Sequence, residues 1–295
     1  MSAPHVIPSA GDTRFHAYLA AGAADLAAVR RLCAAASPDP MEGQRAAAEN
    51  GWPCDGRVPR GPHLLVRERR TGERVACARI LTEERAAVAG GFRSLSLFDL
   101  GPLMNLSGRT LEIARSCVCS DARRSAATHA LWSGLAHFMS QNGYRYLLGR
   151  ASVPLSEQTP AQLARLRLFH RVPSRLRVSP RQPLPNALTI CHAAPARVRL
   201  PPFLTAALHR GARVCGEACH DPDSNAAAVL ILLDARNLPD RDYRHVGVPT
   251  GPMRPDTRPA VTLAGTGPAG LRSGISAPWR TEIPRLPVTT PFKGC

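Results

Sequence analysis

Glu112 and Arg115 are the two side chains best suited to chemistry, because they interrupt an apolar run from Thr110 to Val118. Charges in a strand of this kind cost free energy unless they are paired or take part in function. Acyl transfer from a thioester to an amine needs a group that takes a proton from the amine. We therefore predict that Glu112 accepts this proton or orients the amine. Arg115 is predicted on the opposite face of the strand, and a structural ion pair with another strand is the alternative.

The segment after this strand has the features of a binding site for a phosphate-bearing arm. A basic turn at residues 121–124 leads into an amphipathic helix, and a helix N-terminus favours anions. We predict that Arg123 and Arg124 bind the phosphate, with a solvated basic turn as the alternative. Residues 124–128 contain no glycine that would let the backbone wrap a pyrophosphate. This favours the single phosphate of a carrier-protein arm over coenzyme A.

The end of the strand is predicted to bind the acyl-pantetheine itself. The backbone of Ser116, Cys117 and Val118 can present N–H groups to the thioester oxygen and pair with the extended arm. We do not expect the Cys117 thiol to act as a nucleophile, because a buried free cysteine is usually a small hydrophobe. The segment Cys215–His220 has one residue too many for a haem attachment motif and no second ligand pair for zinc. No metal and no cofactor beyond the donor's own pantetheine are therefore expected.

The hydrophobic pattern predicts the elements that would position these residues. A Thr-Gly turn separates two apolar runs and indicates an antiparallel hairpin. Apolar residues at spacings of three and four after residue 126 indicate a helix with one buried face. Strands are predicted at 15–19, 63–69, 73–81, 110–118, 144–149, 187–192, 213–216 and 227–233. Helices are predicted at 23–36, 82–89, 124–142, 158–169 and 201–210. This order fits one α/β domain with a mixed, partly antiparallel sheet.

The charge of the chain limits its partners. The 295 residues carry a formal net charge of +16, which attracts acidic proteins, anionic lipids or nucleic acid. The basic residues are dispersed and form no recognition helix, so nucleic acid is not expected as a partner. Nine scattered cysteines do not form a disulfide framework, and neither a secretory signal nor a bilayer-spanning run is present. We expect a cytoplasmic, reduced protein, with peripheral contact at the inner membrane left open.

Ordered blocks of this sequence resemble the L-ornithine N(alpha)-acyltransferases. These enzymes belong to the GNAT acyltransferase superfamily and are related to the acyl-homoserine-lactone synthases. The resemblance covers roughly residues 15–246. The blocks are His63–Val66, Ala78–Leu81, Gly91–Ser94, Phe98–Leu100, Leu111–Val118, Leu131–Leu135, Tyr146–Gly149, Leu200–Leu204, Gly211–Gly216 and Arg241–His245.

The resemblance implies a GNAT fold, with a mostly antiparallel mixed sheet flanked by helices and a V-shaped cleft between two central strands. It also implies transfer of a 3-hydroxyacyl or similar chain from acyl carrier protein to the α-amine of ornithine, giving lyso-ornithine lipid. Glu112 and Arg115 match the Glu and Arg of the catalytic strand. Arg79 matches an Arg of the second hairpin strand, while Arg31 and Asp55 are the other implied acceptor contacts.

The sequence departs from the family pattern at Val58, Ser224 and Ala227. A GNAT acyltransferase with another amine acceptor or an acyl-CoA donor is therefore a second interpretation. A non-catalytic relative that binds acyl carrier or membrane is a third. The domain is predicted at residues 13–246, and the Pro- and Gly-rich tail at 247–295 is predicted to be disordered.

Overall fold

The computed structural model of the protein describes residues 6–7, 14–35, 61–119, 124–188, 198–222 and 224–238. Within them the eleven strands are β1 (Val6–Ile7), β2 (Phe15–Leu19), β3 (His63–Glu68), β4 (Arg74–Thr82), β5 (Phe98–Asp99), β6 (Arg109–Val118), β7 (Tyr144–Pro154), β8 (Ser179–Pro180), β9 (Arg213–Val214), β10 (Cys219–Asp221) and β11 (Ala226–Asp234). The α-helices are α1 (Ala23–Ala35), α2 (Glu83–Val88), α3 (Arg124–Gln141), α4 (Thr159–Phe169) and α5 (Pro202–Leu208).

Nine of these strands form one large sheet in the order β1-β2-β3-β4-β6-β7-β11-β10, with β9 also paired to β11, and β5 and β8 form a separate two-stranded sheet. Only the pairing of β6 with β7 is parallel within this described sheet. The predicted mixed, mostly antiparallel sheet is therefore confirmed. It also takes in Val6–Ile7, ahead of the boundary predicted at residue 13. The predicted tail lies outside the described residues and stays a prediction.

Helix α3 packs on one face of this sheet, together with α5. Its residues Ala127, Leu131 and Leu135 lie on one side of the helix and join the main hydrophobic core. Gly134 lets the helix approach closely, because a Cβ there would lie 2.7 Å from the Cβ of Ala17 on β2. Helix α1 covers the opposite face, where it contacts β4 and β6.

The sheet opens between β6 and β7. Their parallel pairing runs from Arg109 opposite Tyr144 to Ile113 opposite Gly149. Beyond this point β6 continues alongside β4, and β7 continues alongside β11 as far as Pro154. Among the described residues no strand pairing joins the later halves of β6 and β7. The two strands therefore separate into the V-shaped cleft that the resemblance implied.

Candidate functional site

A β-bulge at Ala114 lies at the point where the cleft opens. Arg115 is the register partner of Arg79 on β4, whereas Ile113 is the partner of Ile80, so Ala114 is the extra residue. Glu112 is the partner of Leu81, and cross-strand partners lie on the same face of a sheet. Because Arg79 and Leu81 are two residues apart, Glu112 and Arg115 share one face. This corrects the prediction of opposite faces, which assumed uninterrupted alternation.

Glu112 is fully buried, with 0% of its surface exposed. Its Oε1 accepts hydrogen bonds from the backbone N–H of Ser94 at 2.8 Å and from the Ser94 hydroxyl at 2.5 Å. Its Oε2 accepts from the backbone N–H of Arg93 at 2.6 Å. The carboxylate therefore fixes the backbone at residues 93–94. This geometry argues against Glu112 as the proton acceptor, because both oxygens are engaged and shielded from an incoming amine.

The electrostatic setting of Glu112 has two opposed components. The pKa of Glu112 is raised above its ordinary value because burial outweighs the lowering effects of the hydrogen bond from Ser94, the charge of Arg150 and the two backbone N–H groups. The side chain therefore lies within reach of the Arg150 charge, on the β7 side of the cleft. A buried carboxylate with several donors is a stable anchor for the segment that donates to it.

Arginine side chains lie on the same face of the sheet as Glu112. Arg79 is 9% exposed, and its pKa is lowered by burial and then by the charges of Arg93 and Arg85. Arg115, half-buried, is its register partner. The charges of Arg93 and Arg85 thus act on Arg79 where the strands part, and Arg115 lies on the same face of the neighbouring strand. Such a cluster favours an anionic ligand, and a guanidinium can grip a carboxylate with two hydrogen bonds.

His63 on β3 is the register partner of Arg79 and borders this cluster. Burial and the charge of Arg79 lower the pKa of His63 to about 4, against a raising hydrogen bond to Gly61. The imidazole is therefore neutral at neutral pH. It adds no positive charge beside Arg79.

The residues predicted to bind acyl-pantetheine fall on the open side of the cleft. Ser116, Cys117 and Val118 form the end of β6, beyond its pairing with β7. Because N–H and C=O groups alternate between the two edges of a strand, part of this backbone faces the cleft. Arg124 is exposed at the start of α3, as the predicted basic helix N-terminus requires. Arg123 lies outside the described residues.

The structure does not bring the predicted acceptor contacts together. Arg79 is buried on β4, whereas Arg31 is exposed on α1. No contact between Arg31 and Arg79 occurs among the described residues. Asp55 lies outside that part of the chain, so its predicted role stays a prediction.

Sequence reasoning missed the contacts of Arg93, Ser94 and Arg150 with Glu112. The segment Gly91–Ser94 did stand out as one of the blocks of resemblance. Its role was hidden because Glu112 lies 18 residues further along the chain, and only the fold brings the two together.

Comparison with known proteins finds a family model that matches part of the chain and solved structures that align only weakly. A family model described as an Acetyltransferase (GNAT) domain matches residues 39–133. Among solved structures, FeeM, an N-acyl amino acid synthase from uncultured soil microbes, aligns with a TM-score of 0.43 at 10% identity, covering 76% of this chain and 91% of FeeM. The GNAT-like decarboxylase GphF aligns with a TM-score of 0.40 at 20% identity, covering 75% of this chain and 99% of GphF. At such scores these likenesses carry no argument about fold or function.

The matched domain and the parted sheet are those of the GNAT fold, as predicted. Within this class the chain is similar to two proteins named L-ornithine N(alpha)-acyltransferase. The one from Rhodobacter capsulatus is 33% identical over 172 residues, covering 57% of this chain and 66% of that protein. The one from Rhizobium meliloti is 27% identical over 186 residues, covering 60% and 63%. The resemblance predicted from the sequence blocks is thereby confirmed, although the chain spans less than two thirds of either relative.

No helix in the described part of the chain combines the length and apolar character needed to cross a bilayer.

Proposed function

We propose that the protein is an N-acyltransferase that moves a 3-hydroxyacyl or similar chain from acyl carrier protein to the α-amine of ornithine, giving lyso-ornithine lipid. The observation that carries this proposal is the parting of β6 and β7 directly beside a cluster of arginines. The cleft suits an extended thioester arm, and the cluster suits the carboxylate of an amino acid. The names of the two curated relatives support the choice of ornithine.

The acyl-pantetheine arm of the donor is proposed to bind along the edge of β6. An extended pantetheine carries amide groups that can pair with an open strand edge, as a peptide does in β-strand addition. In this arrangement its thioester reaches the bulge at Ala114, where N–H groups of Ser116, Cys117 and Val118 lie close by. Arg123 and Arg124 would bind the phosphate at the start of α3. The net charge of +16 would attract an acidic carrier and an anionic membrane surface.

The acceptor half uses the arginine cluster. Arg79 and Arg115 are proposed to hold the carboxylate of the amino acid, which directs its α-amine toward the cleft. Glu112 then acts as a positioning residue, because it fixes residues 93–94 and with them the Arg93 charge beside Arg79. We retain Asp55 and Arg31 as proposed acceptor contacts only.

A direct assay tests the proposal. The full chain is incubated with a 3-hydroxyacyl carrier-protein thioester and a panel of amino acids, and acylated products are detected by mass spectrometry. We expect acyl-ornithine as the main product, and weaker use of the matching acyl-CoA in a donor competition. Absence of any acylated amino acid from folded protein would contradict the proposal. Faster product formation from acyl-CoA than from the carrier-protein thioester would contradict the proposed donor and indicate a coenzyme A donor.

The acceptor site is tested with Arg79→Gln. Loss of a charged hydrogen-bond donor costs about 1.5–3 kcal/mol, so KM for ornithine should rise about ten- to hundredfold. KM for the acyl donor should change little. The matched control is Arg213→Gln, because Arg213 is exposed on β9. Equal effects of the two substitutions on KM for ornithine would contradict a carboxylate contact at Arg79.

A further inference from the structure

Three cysteines from separate elements meet beneath helix α1. Cys33 lies on α1, while Cys77 on β4 and Cys117 on β6 are register partners. They are 3%, 2% and 4% exposed. The Sγ atom of Cys33 lies 2.6 Å from that of Cys117 and 3.9 Å from that of Cys77. All three sulfur atoms lie within 4.8 Å of one another.

This spacing can be compared with the requirements of a thiolate-bound ion. Three sulfur atoms, each about 2.3 Å from a tetrahedral Zn²⁺, lie about 3.8 Å apart. The pair Cys33 and Cys77 already meets this distance at 3.9 Å. Cys33 and Cys117 would have to separate by about 1.2 Å, which modest rotations about the two Cα–Cβ bonds can supply. Such a separation also relieves their contact.

A positive charge lies beside the three sulfur atoms, because Arg115 interacts with the thiol of Cys117. The thiolate is the form of cysteine that binds metal. A neighbouring guanidinium therefore favours the anionic complex that three thiolates form with Zn²⁺.

We propose that Cys33, Cys77 and Cys117 form a zinc site that ties helix α1 to strands β4 and β6. Binding of Zn²⁺ by the three thiols forms three Zn–S bonds and releases three protons to solvent, which leaves a complex with one negative charge. Arg115 lies beside Cys117 and offsets that charge. Among the described residues no fourth histidine, cysteine or carboxylate joins the group, so water takes the fourth position. Soft thiolate ligands select zinc over magnesium or calcium.

The metal content of the full chain tests this site. The protein is purified under reducing conditions without chelator, supplied with Zn²⁺, freed of excess metal and analysed by mass spectrometry of the elements. We expect one equivalent of bound zinc. In a separate titration, Co²⁺ added to the metal-free protein should produce a sulfur-to-cobalt charge-transfer band in the near ultraviolet. Absence of both signals, with all three thiols reduced, would overturn the proposal.

Variants then localise the metal. Cys77→Ser should abolish the bound zinc and the cobalt band, whereas Cys215→Ser should retain both. Cys215 is the matched control because its thiol is also buried and lies outside the cluster. Circular dichroism checks whether both variants are folded. If Cys77→Ser is unfolded, the zinc content and cobalt titration of the unaltered protein still test the proposal. A Cys33–Cys117 disulfide found by mass spectrometry in protein kept under reducing conditions would also overturn the proposal.

Discussion

Replacement of Glu112 by glutamine separates a positioning role from a role as proton acceptor. The amide oxygen of glutamine can keep the two hydrogen bonds from Ser94. Its NH₂ group must then face the backbone N–H of Arg93, which now donates to Oε2 at 2.6 Å. One charged hydrogen bond is lost, and two buried donors face each other. We expect the free energy of unfolding to fall by about 3 kcal/mol, most of it from the charged bond and the unmet donor.

The assay for Glu112→Gln pairs urea unfolding, followed by circular dichroism, with steady-state kinetics. A positioning role predicts the loss of stability together with a raised KM for the acceptor. Ser94→Ala removes the hydroxyl donor alone and should cost about 1 kcal/mol, and the double variant should show coupling of at least about 0.5 kcal/mol. A positioning role for Glu112 is refuted if Glu112→Gln leaves the free energy of unfolding within about 0.5 kcal/mol but lowers kcat more than about a hundredfold, as loss of a general base would.

Two further substitutions test the surroundings of the site. His63 has a pKa of about 4 in the folded protein, against an ordinary value of 6.5. As the pH falls, the unfolded chain therefore binds a proton at His63 before the folded protein does. This favours the unfolded state, so the free energy of unfolding decreases between pH 6.5 and 4. This difference in pKa corresponds to about 3 kcal/mol in the free energy of unfolding. In urea unfolding across this pH range, the free energy of unfolding of His63→Gln should therefore depend less on pH than that of the unaltered protein. An equal pH dependence would contradict the lowered pKa of His63. Gly134→Ala places a Cβ 2.7 Å from that of Ala17 and should lower the free energy of unfolding by about 1–3 kcal/mol. Gly22→Ala, whose Cβ meets no atom within 4 Å, is its control and should be close to neutral in the same urea measurement.

Strands and helices with a clear hydrophobic pattern of their own could be predicted from the sequence. Elements that form only because they pair with a neighbouring strand could not. Strand β2 runs from Phe15 to Leu19 as predicted, since all of its residues except His16 are apolar or aromatic. The prediction for β7 stopped at Gly149, but the strand continues to Pro154. Its second half contains Arg150 and Ser152, which hide the pattern. This half is a strand because it pairs along its length with the apolar strand β11.

The candidate site shows the same division. The types of Glu112 and Arg115 marked β6 as the candidate strand, and the basic start of α3 at Arg124 was predicted from its residues. The common face of Glu112 and Arg115 was not predicted, because a bulge is a property of two paired strands. The cluster of Cys33, Cys77 and Cys117 was missed for a similar reason: the three residues are 84 positions apart at most and form no motif. Both features arise from register between β4 and β6.

The bulge at Ala114 links the positioning contacts to the proposed chemistry. On one side of it Glu112 holds residues 93–94, and on the other Cys117 contacts Cys33 on α1. Both contacts use side chains on the same face of β6, so neither occupies the backbone edge that faces β7. Strand β6 is thereby fixed in position through its face while its edge remains open to a thioester arm. A strand held only by edge pairing could not meet both requirements, because each hydrogen bond to β7 would remove a group that the donor needs.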